Sequence, residues 1–221
     1  MTISRRLALL AGAGALALGL TAVPVGAAGA AGSTDLTATF SGGVTSVTVK
    51  PSTTKALLTS KILPYATDAS TRLVWTKDGP TVRYGFGITA GSTATLDSNL
   101  SITGGQIDHT GGVRFVNLRN FKALKVSDFR IDLNQGILFA TKVNNQVAAQ
   151  PVPVFRLTIP NATPELVEVD GTTFAVVRGV GLTLTPEAAA ALNGALKTDA
   201  FGTGGLDFGT ATVKAAIGSL S

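Results

Sequence analysis

His109 is the only histidine in the 221 residues, Tyr65 and Tyr84 are the only tyrosines, and there is no cysteine. A hydrolytic triad needs a base beside a nucleophilic hydroxyl, with a third group to orient the base. His109 supplies a base, but no Gly-x-Ser-x-Gly or comparable context marks a serine. Metal sites of the usual kind take several His or Cys ligands, so one histidine without cysteine leaves any metal unassigned. The carboxylates stand singly or on exposed strand faces, and no glycosidase pair is marked. These residues nominate no catalytic set, and the chain reads as a non-enzyme.

His109 nonetheless sits in a specific context, Gly104-Gly105-Gln106-Ile107-Asp108-His109-Thr110-Gly111-Gly112. A histidine closing a strand just before two glycines is placed where a ligand or another backbone can approach, or else it is a surface residue of a turn. Tyr84 shares a strand face with Phe86 and reads as core. Tyr65 follows Pro64 in an apparent loop, where its oxygen is free to serve a ligand.

The elements that must position these residues are mostly strands. Period-2 alternation marks Thr81 to Ile88 and Asp128 to Asn134, the latter with Phe129, Ile131 and Leu133 inward and Asp128, Arg130, Asp132 outward. Arg130 between two carboxylates reads as a solvated charge ladder. Further strands are expected at 73–76, 95–103, 113–118, 137–143, 152–159, 173–177, 181–184 and 210–213. Turn signals separate them, among them Asp78-Gly79-Pro80, Gly104-Gly105, Asn144-Asn145 and Asp170-Gly171. Thr185-Pro186-Glu187 is a helix start, with a hydroxyl cap, proline in the first turn and an acid at the positive dipole end. A shorter helix is expected from about Pro51 to Leu58. The fold class that follows is all-β, an antiparallel β-sandwich or flattened barrel with one or two short helices.

Composition sets the compartment and the partners. Arg5 and Arg6, an uncharged run from Leu7 to Val23 and the small residues Ala28-Gly29-Ala30 have the layout of a cleavable signal peptide over 1–30. Ser4-Arg5-Arg6 also resembles a twin-arginine export signal. Residues 31–221 then form a single domain outside the cytoplasm, with no second apolar span for a membrane. The net charge of +5 falls to 5 − 2 = +3 without Arg5 and Arg6. Charges spread along the sequence argue against nucleic acid, which needs a concentrated basic stripe. Arg114 to Lys125 alternates with apolar residues and reads as the wet face of a strand pair.

The His109 block, the strand from Leu124 to Leu133 and the stretch Gly181-Leu182-Thr183-Leu184-Thr185-Pro186-Glu187-Ala188 together resemble the HtaA-type domain of actinobacterial secreted and wall-associated proteins. The resemblance spans roughly residues 80 to 215. It implies a binding domain of the cell envelope with haem as candidate cofactor, held by a tyrosine oxygen that a histidine supports. His109 matches the histidine of the motif. The family's early tyrosine has no counterpart, because Val44 to Leu58 holds neither Trp nor Tyr, and so Tyr84 and Tyr65 are the candidate ligands. Three function classes stay open: haem binding, a structural or adhesive protein meeting wall or surface components without a small ligand, and a secreted hydrolase.

Overall fold

The computed structural model describes residues 35–160 and 164–221, so the expected signal peptide lies outside the described residues. In chain order the described elements are β1 (Leu36–Val49), α1 (Pro51–Thr59), β2 (Ile62–Thr67), β3 (Ser70–Thr76), β4 (Gly79–Gly87), β5 (Thr93–Leu96), β6 (Ile102–Asp108) and β7 (Gly112–Asn117). They continue with β8 (Ala123–Asp132), β9 (Ile137–Val143), β10 (Gln146–Thr158), β11 (Glu165–Val169), β12 (Thr172–Leu184), α2 (Pro186–Leu196) and β13 (Asp207–Leu220).

The sheet is a closed antiparallel ring. Strands β12, β10, β9, β8, β6, β5 and β1 pair in that order, and β13 joins β1 to β12. Eight strands close at a diameter just wide enough to be filled by side chains or to hold one small ligand. The fold class read from the sequence is therefore met as a barrel. Towards the α2 end the wall changes partners: β4 replaces β5 beside β1 and β7 replaces β6 beside β8, and they carry β3 and β2 with them.

Bulges let one strand serve two levels of the interior. In β1 the register slips between Thr39 and Gly42, so the inward set changes from Leu36, Ala38 and Phe40 to Thr45 and Val47. In β12 it slips between Val177 and Val180, with Gly179 at φ 73°. In β8, Asp128 takes φ 53° between the buried Val126 and Phe129. An extra residue reverses which face each following side chain takes.

Local chemistry explains most of the ends. Asn144 and Asn145 (φ 49° and 67°) and Asp170 and Gly171 (φ 50° and 75°) form two-residue hairpin turns that require positive φ at both positions. Helix α2 starts where expected: the Thr185 hydroxyl accepts from the Ala188 N–H at 3.1 Å and donates to the Pro153 carbonyl at 2.7 Å, pinning the helix to β10. Leu192 and Leu196 are buried beneath it.

Several expectations need correction. Residues 95–103 are two strands with a turn at Asp97–Ser101, where the Asp97 carboxylate accepts from the Asn99 and Ser101 N–H groups. Gly104-Gly105 is not a turn but strand β6, where Gly105 at φ 118° lies so close to Ala94 that a Cβ would sit 2.7 Å from its Cα. Residues 173–177 and 181–184 are one bulged strand. Tyr65 lies in strand β2 rather than a loop. Phe129 and Ile131 are core as expected, whereas Leu133 is only partly buried. Arg130 does not pair along its own strand but across to Asp108 on β6, at 2.9 Å, and Asp128 pairs with Lys142 at 2.7 Å.

The seam between β1 and β13 is testable through its glycines. A Cβ on Gly43 (φ 138°) would meet the Lys214 carbonyl and lie 2.8 Å from the Ala215 Cα. Gly43→Ala is expected to destabilise the fold by more than about 1 kcal/mol, since both the backbone and the space are wrong for it. Gly194, exposed within α2 with nothing within 4 Å of its Cβ position, should gain roughly 0.5–1 kcal/mol as alanine. Denaturant unfolding of the two variants measures both signs.

Candidate functional site

The ring encloses two cavities, and the size of the inward side chains decides how much room each has. At the end capped by α2, aromatic residues meet inside the ring. Phe86 packs edge-on against Phe129 (5.4 Å between centroids), Phe115 against Phe201 (5.7 Å), and Phe155 lies 4.9 Å from Phe208. The space left is about 240 Å³, and His109, Thr45 and Tyr84 stand in its otherwise apolar wall. At the opposite end the inward positions include Ala38, Ala94, Ala175 and Ala215, and the cavity there is about 780 Å³.

His109 is neither the exposed turn residue nor the partner of a tyrosine. It is buried, at 4% exposure, and its main chain bridges Ile88 on one side and bonds the Phe129 carbonyl on the other. Nε2 lies 2.7 Å from the hydroxyl of Thr45, itself buried. Nδ1 has no partner of hydrogen-bond geometry, yet the Phe129 and Ile107 carbonyls near the ring favour a proton on it. The consistent assignment puts that proton on Nδ1 and makes Nε2 the acceptor from Thr45. Burial pushes the His109 pKa down to about 4, the carbonyls and Asp108 only partly opposing this. At neutral pH the ring is uncharged. Its one side-chain hydrogen bond goes to a threonine, so the base–serine contact of a triad is not assembled at His109.

Tyr84 lines the same cavity, but its hydroxyl donates to the Pro64 carbonyl at 3.0 Å. Burial pushes its pKa up to about 12. Tyr65 is 38% exposed and pairs in register with Arg114 on the outer face of the β2–β7 ribbon, away from the cavity. A phenolate iron ligand must shed its proton and stand beside an open slot. Tyr84 is held protonated and committed to a carbonyl, and Tyr65 lies on the other face of its ribbon. The residues present do not fit a haem ligated by a tyrosine that His109 supports. Among the described residues no group of three or more His, Asp or Glu side chains could hold a metal ion.

The larger cavity was not anticipated from the sequence. Its wall is almost wholly Leu, Ile, Val, Ala and Phe, and among the described residues Glu165 is the one charged residue lining it. The Glu165 carboxylate lies 3.4 Å from Arg178, whose side chain is mostly exposed. Leu36, Leu100 and Leu220, at strand ends and in the β5–β6 turn, also line the cavity, and Leu100 and Leu220 are exposed, which marks its solvent side. The missed signal was Leu36-Thr-Ala-Thr-Phe40, a period-2 segment that belongs to β1. Thr45 lies further along the same strand and was missed with it.

No family pattern matches the chain, and no curated protein does. A solved structure similar to it is the C-terminal domain of HtaA from Corynebacterium glutamicum, at 16% identity and a TM-score of 0.48 over 83% of this chain and 99% of that domain. This is a partial likeness of fold.

The buried neutral histidine carries a pH signature. Its folded pKa lies below its unfolded value of 6.5, so the unfolded chain binds the extra proton first. The stability it confers is complete above about pH 6.5 and is lost as the pH falls towards 4, by up to about 3 kcal/mol. His109→Gln removes the titration, so the stability gap between wild type and variant should narrow or reverse from pH 7 to 4.5. Urea unfolding across that range measures it, and a constant gap would mean that His109 is not held neutral.

Proposed function

We propose that this chain is an extracytoplasmic binding domain that carries one elongated apolar ligand, a lipid acyl chain or an isoprenoid, in the 780 Å³ cavity. The observation that carries the reading is the cavity itself. Well-packed interiors hold few voids larger than a water molecule, whereas ligand pockets run about 300–1,000 Å³ with mostly apolar walls and a few placed polar groups. The space at the open end of this ring is of that size and kind. Glu165 lines the cavity and pairs with Arg178, so the proposed ligand is amphipathic: an apolar body with one hydrogen-bonding end that meets Glu165. Export rests on the signal-like residues 1–30 and places the domain where apolar molecules need a carrier through water. The smaller cavity, at about 240 Å³, is below the range for such a ligand and serves the packing around His109.

The experiment is a titration with a fluorescent polyene fatty acid, alongside mass spectrometry of solvent extracts from the purified protein. Saturable binding at one site per chain is expected. Ala175→Phe, which fills the cavity from a partly buried position, should weaken it by about tenfold or more while unfolding like wild type. Haemin titration run in parallel separates the alternative implied by the family resemblance. An absorbance band present in wild type and lost in Tyr84→Phe, with no fatty acid bound, would overturn the carrier reading in favour of haem. Binding of neither would leave a structural or adhesive role as the better account.

A further inference from the structure

The charge of the chain is unevenly distributed. Residues 51–87 and 112–125 hold 9 Lys and Arg against 2 acids, a net of +7, while the other described residues hold 7 basic and 11 acidic residues, a net of −4. These two segments are α1, β2, β3, β4, β7, the β7–β8 turn and the start of β8, which lie together. β2 pairs with β7, β3 with β4, and α1 packs on both β2 and β4. The same elements carry seven of the twelve large apolar or aromatic side chains left in water among the described residues: Leu58 (52% exposed), Leu63, Tyr65, Leu73 (71%), Trp75 (79%), Leu118 and Phe121 (80%).

Phe121 is presented rigidly. It takes φ 57° in a turn closed by the Asn117 N–H to the Lys122 carbonyl at 2.9 Å and by its own N–H to the Asn117 carbonyl at 2.8 Å. The Asn117 and Asn120 amides both bond the Leu196 carbonyl, tying the turn to the end of α2. Glycine or asparagine would take that φ at less cost, and the ring gains nothing from burial. Trp75 projects from β3, which pairs only with β4 and is therefore an edge.

We propose that this face docks peripherally on an anionic lipid surface, with Trp75 and Phe121 entering the interface and the lysines and arginines around them facing the headgroups. Each feature matches one side of such a surface. Tryptophan and other apolar rings settle at the boundary of headgroup and acyl chain, and each basic residue near an anionic leaflet adds attraction. A polyphosphate-like polyanion would use the charge but offers nothing to Leu73, Trp75 and Phe121. The proposal does not depend on the ligand in the barrel. The cavity mouth, marked by Leu36 and Leu220, is at the far ends of β1 and β13 from α1, so docking leaves it open.

Trp75 is the only tryptophan in the chain, and its emission reports the contact directly. The purified full chain is mixed with phosphatidylcholine vesicles with and without phosphatidylglycerol, and emission and co-sedimentation are recorded. Residues 1–30 are unchanged in every variant, so differences between variants read this face alone. A blue shift and sedimentation with the anionic vesicles are expected. Both should be reduced about tenfold or more in the Lys55→Glu, Lys122→Glu double variant, and reduced also in Phe121→Ser. Wild-type unfolding of these variants confirms that the fold is intact. An unshifted emission with anionic vesicles, or equal binding by the charge-reversed variant, overturns the proposal. So does tight binding of soluble polyphosphate with Trp75 emission unchanged and Phe121→Ser binding as well as wild type, which would point to a polyanion instead.

Discussion

The antiparallel seam between β1 and β13 is the constraint on which the rest depends. It joins the first and last described strands along most of their 14 residues each, and without it the sheet stays open, with an apolar inner face exposed to water. Two glycines make the approach possible. Beside Gly43 and Gly209 the partner backbone runs so close that a Cβ on either would collide with a carbonyl oxygen. Closing a ring from strands so distant in sequence costs loop entropy before any contact repays it. The long run of ladder bonds and the buried Val47, Ala211, Val213 and Ala215 offset that cost together.

Once closed, the ring has an inside that its side chains must fill, and they fill its two ends differently. Phenylalanines from β4, β7, β8, β10 and β13 crowd the α2 end, where His109 and Thr45 satisfy each other within the wall. Alanines stand at comparable inward positions of β1, β5, β12 and β13 towards the other end, and the volume they leave open is the candidate binding site. A bulge in each long strand switches which residues point inward. The difference between packed core and open cavity is therefore written in side-chain size at a few inward positions, not in any change of architecture.

The outside is polarised as the inside is. Basic and exposed apolar residues gather on α1 and the β2–β7 and β3–β4 ribbons, and acidic residues dominate elsewhere. Paired ladders on the outer faces, Arg130 with Asp108 and Lys142 with Asp128, are half-exposed and contribute little to stability.

Strand alternation, the two helices, the Asn144-Asn145 and Asp170-Gly171 turns and the Thr185 cap were legible in the sequence, because each rests on interactions within a few residues. So was the inward set of Phe129 and Ile131, since a side-chain period of 2 leaves little freedom once one face is apolar. The likeness in residues to the HtaA-type domain pointed to a binding domain. It pointed also to a Tyr–His pair that this chain does not assemble. Whether Tyr84 meets His109, whether Tyr65 faces in or out, and whether Thr45 reaches a histidine 64 residues away depend on how β1, β4, β6 and β8 are staggered. That stagger is set by bulges and by ring closure, which no local pattern encodes. The cavity belongs to the same class, because an empty space has no residues of its own and exists only where inward alanines from distant strands are brought to one level.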